Sequence, residues 1–219
     1  MIHHWRSWTP RLLQLKWIKA SQDPWYFITE FCYTRDPLDL HNSIKRFPPK
    51  EYLEILTRTW EKEDRLLVPK SRKLMISWWA VAVHLWLAMF TSGAYIAYQS
   101  RKEMSAANLV KRSYFIWTQL PPLRPRATHT YCKLKLPGLQ TEIEGVPMGK
   151  RTIMEETCTA IFCDEAAFQE ELRESYIAAR PTIDGPPGKR GKYTAVSSAN
   201  PGFFKDLVHD EVEMGSLIV

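Results

Sequence analysis

Cysteine is scarce in this 219-residue sequence and carries no pattern: Cys32, Cys132, Cys158 and Cys163 form no CxxC pair and have no histidine at zinc-ligand spacing. A zinc ribbon and a disulfide scaffold are therefore excluded, and reduced thiols in an intracellular protein are expected. No apolar run reaches the roughly 20 residues that a membrane helix needs. The longest, residues 74–90, is interrupted by Ser77 and His84 and reads as a helix buried against a sheet. The N-terminus, Met-Ile-His-His-Trp-Arg, lacks the apolar stretch of a secretory signal. No repeat of fixed period runs through the chain, which excludes solenoid and propeller architectures.

What is present is globular in composition. Hydrophobic residues make up 45% and charged residues 25%, proportions that exclude disordered, collagen-like and coiled-coil classes. A formal charge of +6 suits a partner rich in phosphate, such as nucleic acid.

Residues 1–45 carry Trp5, Trp8, Trp17 and Trp25 on helical segments broken by Pro10 and by the Asp23-Pro24 and Asp36-Pro37 pairs, and predict an N-terminal helical appendage. Pro48-Pro49 opens a helix over residues 50–60, and Arg65-Leu-Leu-Val-Pro69 is a short apolar run of the kind that becomes a buried strand. A polar loop, the apolar helix, a strand at residues 94–98 and an amphipathic helix over residues 103–120 follow. This β-α-β-α rhythm implies a parallel sheet with right-handed crossovers, so the fold class expected is α/β. After a stiff Pro-rich connector, residues 131–136 and 141–145 read as a hairpin about Pro137-Gly138. Residues 159–163 and 193–197 supply further buried strands, separated by a basic loop at residues 184–192.

Three segments carry chemistry. Ala160-Ile-Phe-Cys-Asp-Glu165 is an apolar strand that ends in two adjacent carboxylates. At the C-terminal edge of a parallel sheet, Asp164 could hold Mg²⁺ through its water shell and Glu165 could polarise an attacking water as general base. A strand ending in solvated acids would look the same. The loop Lys70-Ser-Arg-Lys-Leu-Met-Ile-Ser77 fails the standard phosphate-loop pattern: Lys70 and Met75 stand where it has glycines and Ile76 where it has lysine. It still offers a helix N-terminus, the charges of Lys70, Arg72 and Lys73, and the Ser77 hydroxyl for a metal. A basic turn capping a helix is the alternative. Ser197-Ser-Ala-Asn200 places small polar residues after a strand, suited to sensing a terminal phosphate or merely to turning before Pro201-Gly202. All three segments follow predicted parallel strands and so face one sheet edge, in the order phosphate loop, acidic pair, polar sensor.

On these residues the sequence resembles the large terminase subunits of tailed bacteriophages over roughly residues 45–205. Pro69-Lys-Ser-Arg-Lys-Leu-Met-Ile-Ser-Trp78 resembles the family's displaced-lysine phosphate loop, Phe162-Cys-Asp-Glu-Ala-Ala-Phe168 its Walker B segment, and residues 197–200 its coupling motif. Phe47-Pro48-Pro49 and Tyr52 resemble the segment that packs against adenine, although Tyr52 could equally be a core aromatic. The resemblance implies a P-loop NTPase of the RecA/ASCE type, with a mostly parallel central sheet flanked by helices, a helical appendage over residues 1–45 and an ATPase domain over 46–219. The implied activity is Mg-dependent ATP hydrolysis that drives double-stranded DNA into a procapsid. ATP and Mg²⁺ would be the cofactors, with Glu165, Arg72 and Arg151 catalytic and Ser77 and Asp164 on the metal. Lys70, Ser71, Arg72, Lys73, Ser77, Tyr52, Ser198 and Asn200 would bind nucleotide.

The partners implied are a portal protein, a small terminase subunit and further copies in a ring, in the host cytoplasm and away from membranes. Two departures qualify the resemblance. Met154 stands where the family has an arginine that reaches a neighbouring subunit's site, and Arg151 is the substitute within reach. Nothing after Asn200 could encode the family's RNase H-like nuclease, so no nuclease activity is expected of these residues. A hydrolysis-deficient P-loop module for DNA binding or assembly is the main rival; a helicase-like translocase would need motifs that are missing.

Overall fold

The computed structural model describes residues 3–72, 74–149, 157–183 and 191–213. A 3-10 turn at His4–Ser7 leads into helices α1 (Pro10–Gln22) and α2 (Pro24–Phe31). Each begins with proline at its first position behind a capping side chain: Thr9 accepts from the Leu12 N–H and Asp23 from the Tyr26 N–H. Strands β1 (Tyr33–Arg35) and β2 (Ile44–Arg46) then form a small antiparallel hairpin. The main body follows as α3 (Glu51–Lys62), β3 (Arg65–Pro69), α4 (Ile76–Phe90), β4 (Tyr95–Ser100), α5 (Glu103–Gln119), β5 (Thr128–His129), β6 (Lys133–Leu136), β7 (Thr141–Pro147) and β8 (Ala160–Asp164). Helix α6 (Leu172–Ile183), β9 (Lys192–Ser197) and α7 (Phe203–Glu213) complete it.

The seven-stranded sheet has the order β3-β9-β8-β4-β7-β6-β5. Strands β3, β9, β8, β4 and β7 pair in parallel, and β6 and β5 extend the β7 edge antiparallel. The expected α/β class with a mostly parallel sheet stands, as does the hairpin about Pro137-Gly138, where Leu136 faces Thr141. Side-chain alternation sends Leu66, Val68, Tyr98 and Phe162 to one face and Leu67, Ala97, Ile161 and Cys163 to the other. The first face is covered by α1 to α5 and the second by α6 and α7. Both faces being covered is why the strands read as continuous apolar runs.

Helix α4 is apolar all round because it is buried nearly all round, between the sheet and the N-terminal helices. Trp79 donates its indole N–H to the Thr57 hydroxyl at 2.8 Å, and Trp86 donates to the Ala20 carbonyl at 2.8 Å. Phe27, Ile28 and Phe31 of α2 belong to the same buried cluster as the sheet residues, so the N-terminal helices share the main core. Gly145 lets β7 pass beneath α5: a Cβ there would stand 2.8 Å from the backbone of Ala106. Among the described residues no helix is long and apolar enough to cross a membrane.

The β1–β2 hairpin was not expected within a helical segment. Its strands are three residues each, β1 with Tyr33 and Thr34 buried and β2 partly exposed, too short for alternation to register. The fold holds them by other means: Lys45 pairs with Asp36 at 3.1 Å and Asp39 at 3.0 Å across the hairpin loop, and the Phe47 N–H donates to the Cys32 carbonyl.

Candidate functional site

The C-terminal ends of β3, β9 and β8 are neighbours in the sheet, and the three candidate segments leave the sheet there. The loop after β3 is anchored at once, because the Lys70 N–H donates to the Ser197 carbonyl at 2.8 Å. It reaches α4 through Met75, whose φ of 61° puts a non-glycine residue in the left-handed region. This is where the standard phosphate loop carries its second glycine, so the glycine-like turn survives without glycine. Tyr52 of α3 braces the loop by donating its hydroxyl to the Leu74 carbonyl at 2.9 Å.

Across from the loop, Ser77 on the first turn of α4 donates its hydroxyl to Asp164 Oδ1 at 2.8 Å. Burial raises the pKa of the Asp164 carboxyl, against the pull of the Ser77 hydrogen bond and of the Arg112 charge. A carboxyl so placed gains from a cation. Glu165 is also left-handed, with φ of 52°, and turns its carboxylate toward the loop. Lys70 Nζ lies 3.1 Å from Glu165 Oε1; the lysine side chain is only 8% exposed, the glutamate 40%. Ser198 donates to the other Glu165 oxygen at 3.3 Å, and Ser197 accepts from the Ala167 N–H at 3.0 Å. Lysine, serine and acidic pair thus form one connected polar cluster.

Two cavities open on this cluster. One of about 650 Å³ runs from Lys70, Ser77 and Glu165 to a wall formed by the β1–β2 hairpin, including Arg35, Pro37 and Lys45. The other, of about 480 Å³, is more polar and is lined by Asp164, Ser198, Arg101 and Lys102 among others. Arg72, Arg112 and Glu165 line both and mark where they meet.

Lys70, Arg72, Ser77, Asp164, Glu165 and Ser198 are therefore brought together at one sheet edge. Tyr52 is half-buried against the core and supports the loop through its hydroxyl without lining either cavity. Ser71 is exposed and lines neither. The Asn200 side chain donates to the Ala167 carbonyl at 2.9 Å and lines a separate apolar hollow beside α7, so its contact with the acid loop is structural. Lys73, Arg151 and Met154 lie outside the described residues.

Sequence reasoning missed two contributors. Arg112, which has no place in the motifs, points inward from α5 to the cavity junction. The signal was its spacing: buried Leu109 is three residues before it and buried Ser113 follows it, at the flank of the helix stripe that faces the core. The hairpin wall gave no signal because its strands were not recognised. Two further cations are committed within the fold. Arg124 donates to the Leu120 carbonyl and lies over the Trp117 ring. Lys192 donates to the Trp60, Glu61 and Glu63 carbonyls at the end of α3.

No protein-family model and no curated protein sequence matches the chain. Solved structures do. The large terminase of bacteriophage HK97 superposes with a TM-score of 0.70 at 13% identity, over 89% of this chain and 42% of that one. The ATPase domain of the Thermus phage P74-26 large terminase gives a TM-score of 0.54 at 13% identity, over 73% of this chain and 69% of that one. The large terminase of a thermophilic bacteriophage, in complex with ADP, gives 0.54 at 14% identity, over 77% of this chain and 44% of that one. At such identities the likeness speaks for architecture, and this chain spans less than half of the HK97 protein. The chain carries the α/β fold of the ATPase domain of phage large terminases.

Proposed function

We propose that the chain binds Mg-ATP at the β3–β9–β8 edge and hydrolyses it to move double-stranded DNA into a viral procapsid. The observation that carries this reading is the joined pair of contacts Lys70–Glu165 and Ser77–Asp164, which puts a phosphate cation, a metal hydroxyl and two acids on one sheet edge. The nucleoside would occupy the larger cavity against the β1–β2 hairpin, with the phosphates at the α4 N-terminus, where unpaired backbone N–H groups favour anions. The Ser77 hydroxyl and the raised Asp164 carboxyl fit a Mg²⁺ that arrives on the nucleotide with its own waters, an ion that asks for one or two carboxylates and not a full protein cage. Bound there, it would neutralise charge on the phosphate oxygens.

Lys70 then has two possible anions, Glu165 and the phosphates. Nucleotide entry draws the lysine onto phosphate and releases Glu165 to orient a water and accept its proton as the oxygen attacks the terminal phosphorus. ADP leaves with the bridging oxygen, and the new phosphate carries the water oxygen. Ser198, already on Glu165, reports the change to the chain after β9. DNA contact would be mainly with phosphates, hence sequence-independent and weakened by salt, with the exposed Lys111 and Arg126 as candidates. The working form in this reading is a ring of copies at a portal, with a small terminase subunit, in the host cytoplasm.

Calorimetry with Mg-ATP, with phosphate release followed alongside, tests the reading. Wild type is expected to bind, Lys70→Ala to lose about tenfold or more in affinity, and Glu165→Ala to bind at least as tightly as wild type while releasing no phosphate. Failure of wild type to bind nucleotide would sink the proposal. Binding without phosphate release, with DNA present or absent, would identify a nucleotide-binding assembly module instead.

A further inference from the structure

Arg112 lines both cavities at their junction, and the nucleotide reading leaves it without a task. Its helix is fixed against the sheet by buried Ala106, Leu109, Val110 and Ser113, so the arginine starts from a rigid support. The guanidinium lies over the Trp78 ring, 5.4 Å from its centroid, and Trp78 is itself held edge-on by Phe115 at 5.8 Å. Among the described residues none forms a hydrogen bond or ion pair with that guanidinium, although Asp164 attracts it at longer range. Burying a cation without a direct partner is costly, and a face-on aromatic offsets only part of the cost. Lys70 by contrast already has Glu165, and Arg72 is exposed.

Position gives the unpaired charge its use. With the nucleoside in the cavity of about 650 Å³ and the phosphates at the α4 N-terminus, the last phosphate reaches the junction with the polar cavity, where Arg72, Arg112 and Glu165 line both sides. Arginine presents a planar fork of donors that matches phosphate oxygens, and a preset fork needs little reordering to engage them.

We infer that Arg112 is a catalytic residue supplied within the chain, whose guanidinium binds the terminal phosphate of a nucleoside triphosphate and distinguishes triphosphate from diphosphate. This rests on the nucleotide reading above. Trp78 is the positioning residue that holds the fork toward the junction. Charge at that point stabilises the transferring phosphoryl group as its bond to ADP lengthens.

The test compares affinities for a non-hydrolysable Mg-ATP analogue and for Mg-ADP, measured by calorimetry on wild type, Arg112→Ala, Arg112→Lys and Trp78→Leu, each first checked for cooperative unfolding. Arg112→Ala is expected to lose about tenfold or more in affinity for the triphosphate and less than about twofold for ADP, as for one charge-assisted contact removed. Arg112→Lys should recover part of the triphosphate affinity, and Trp78→Leu should narrow the discrimination by a smaller factor. Equal losses for the two nucleotides, or no loss, would overturn the inference and leave Arg112 a packing residue. So would an Arg112→Ala protein that keeps its discrimination but loses DNA affinity without nucleotide, since the arginine would then serve DNA. A wild type that binds neither nucleotide defeats the nucleotide reading and this inference together; a wild type that binds both, with discrimination unmoved by Arg112→Ala, defeats this inference alone.

Discussion

The two faces of the sheet are built differently. Under α1 to α5 the core is aromatic and long-sided: Trp79, Trp60, Phe27, Phe31, Tyr98 and Phe162 are fully buried there. Under α6 and α7 the sheet presents Ala97, Cys163 and Ala195 to Leu172, Tyr176 and Leu207, with polar contacts such as Gln99 Nε2 to Ser175 Oγ at 3.0 Å and Gln169 Nε2 to Cys163 Sγ at 3.1 Å. The first face is a stiff support on which the β3–α4 loop and Arg112 are mounted. The second mixes small side chains with Ile161 and Tyr193 and has buried side-chain hydrogen bonds, and it carries the two helices that flank the strand ending in Ser197. Rigidity belongs where groups must be held, and lighter packing where an element is to shift.

One substitution made on both faces tests this contrast most directly. Leu85→Ala in α4 is expected to cost about 4 kcal/mol and Leu207→Ala in α7 about 2 kcal/mol, because a crowded core cannot collapse into the void as an edge helix can. Equal losses in urea unfolding would erase the distinction. The next largest effect is a pH dependence confined to the aromatic face. His84 is fully buried, its ring stacked on Phe162 at 5.5 Å, and burial lowers its pKa to about 4, with Lys192 adding to the shift against the Ala80 hydrogen bond. The unfolded chain takes up this proton near pH 6.5 and the native chain only near 4. Stability from a neutral His84 is therefore complete above about pH 6.5 and falls by about 3 kcal/mol as the pH drops to 4. Unfolding free energies at about pH 7 and about pH 5 should differ less in His84→Leu than in wild type, and an unchanged slope would show that the imidazole is not the group responsible.

Gly145→Ala probes the same face through its backbone. The new Cβ would stand 2.8 Å from Ala106 in α5, and a loss of about 2 kcal/mol is expected in denaturant titration. The smallest effect belongs to the edge where the two faces meet. Met75→Gly removes the penalty of a left-handed side chain while adding freedom to the unfolded chain, so stability should rise by no more than about 1 kcal/mol or stay level. A clear loss in thermal unfolding would mean that the Met75 side chain contributes more than the turn costs.

The parts of this molecule that were legible in the sequence are those where local pattern and burial agree. Arg65–Pro69 reads as a strand and is one, because it is apolar, short and covered on both sides. The acid pair and Ser77 were placed by the rule that open parallel sheets bind at their C-terminal edge, and β3, β9 and β8 do lie side by side. What escaped notice depends on distant neighbours. The Met75 turn is dictated by the route from β3 to α4, and no propensity of methionine announces it. Arg112 differs from an ordinary helix-surface arginine only because Trp78 lies beneath it. Asn200 looked like a sensor by its place after β9, yet its amide is taken by the Ala167 carbonyl.

The insertion of β9 between β3 and β8 has a mechanical consequence. The β3–α4 loop and the acid pair hang from strands joined through a common neighbour by two parallel ladders, so changing their spacing would mean shearing both sets of hydrogen bonds. The sheet edge therefore behaves as a fixed gauge, and in the proposed motor a stroke would not come from opening or closing it. Movement is left to what projects beyond the gauge: side chains that exchange partners, and the chain after Ser197, which leaves the middle strand as a lever leaves its fulcrum.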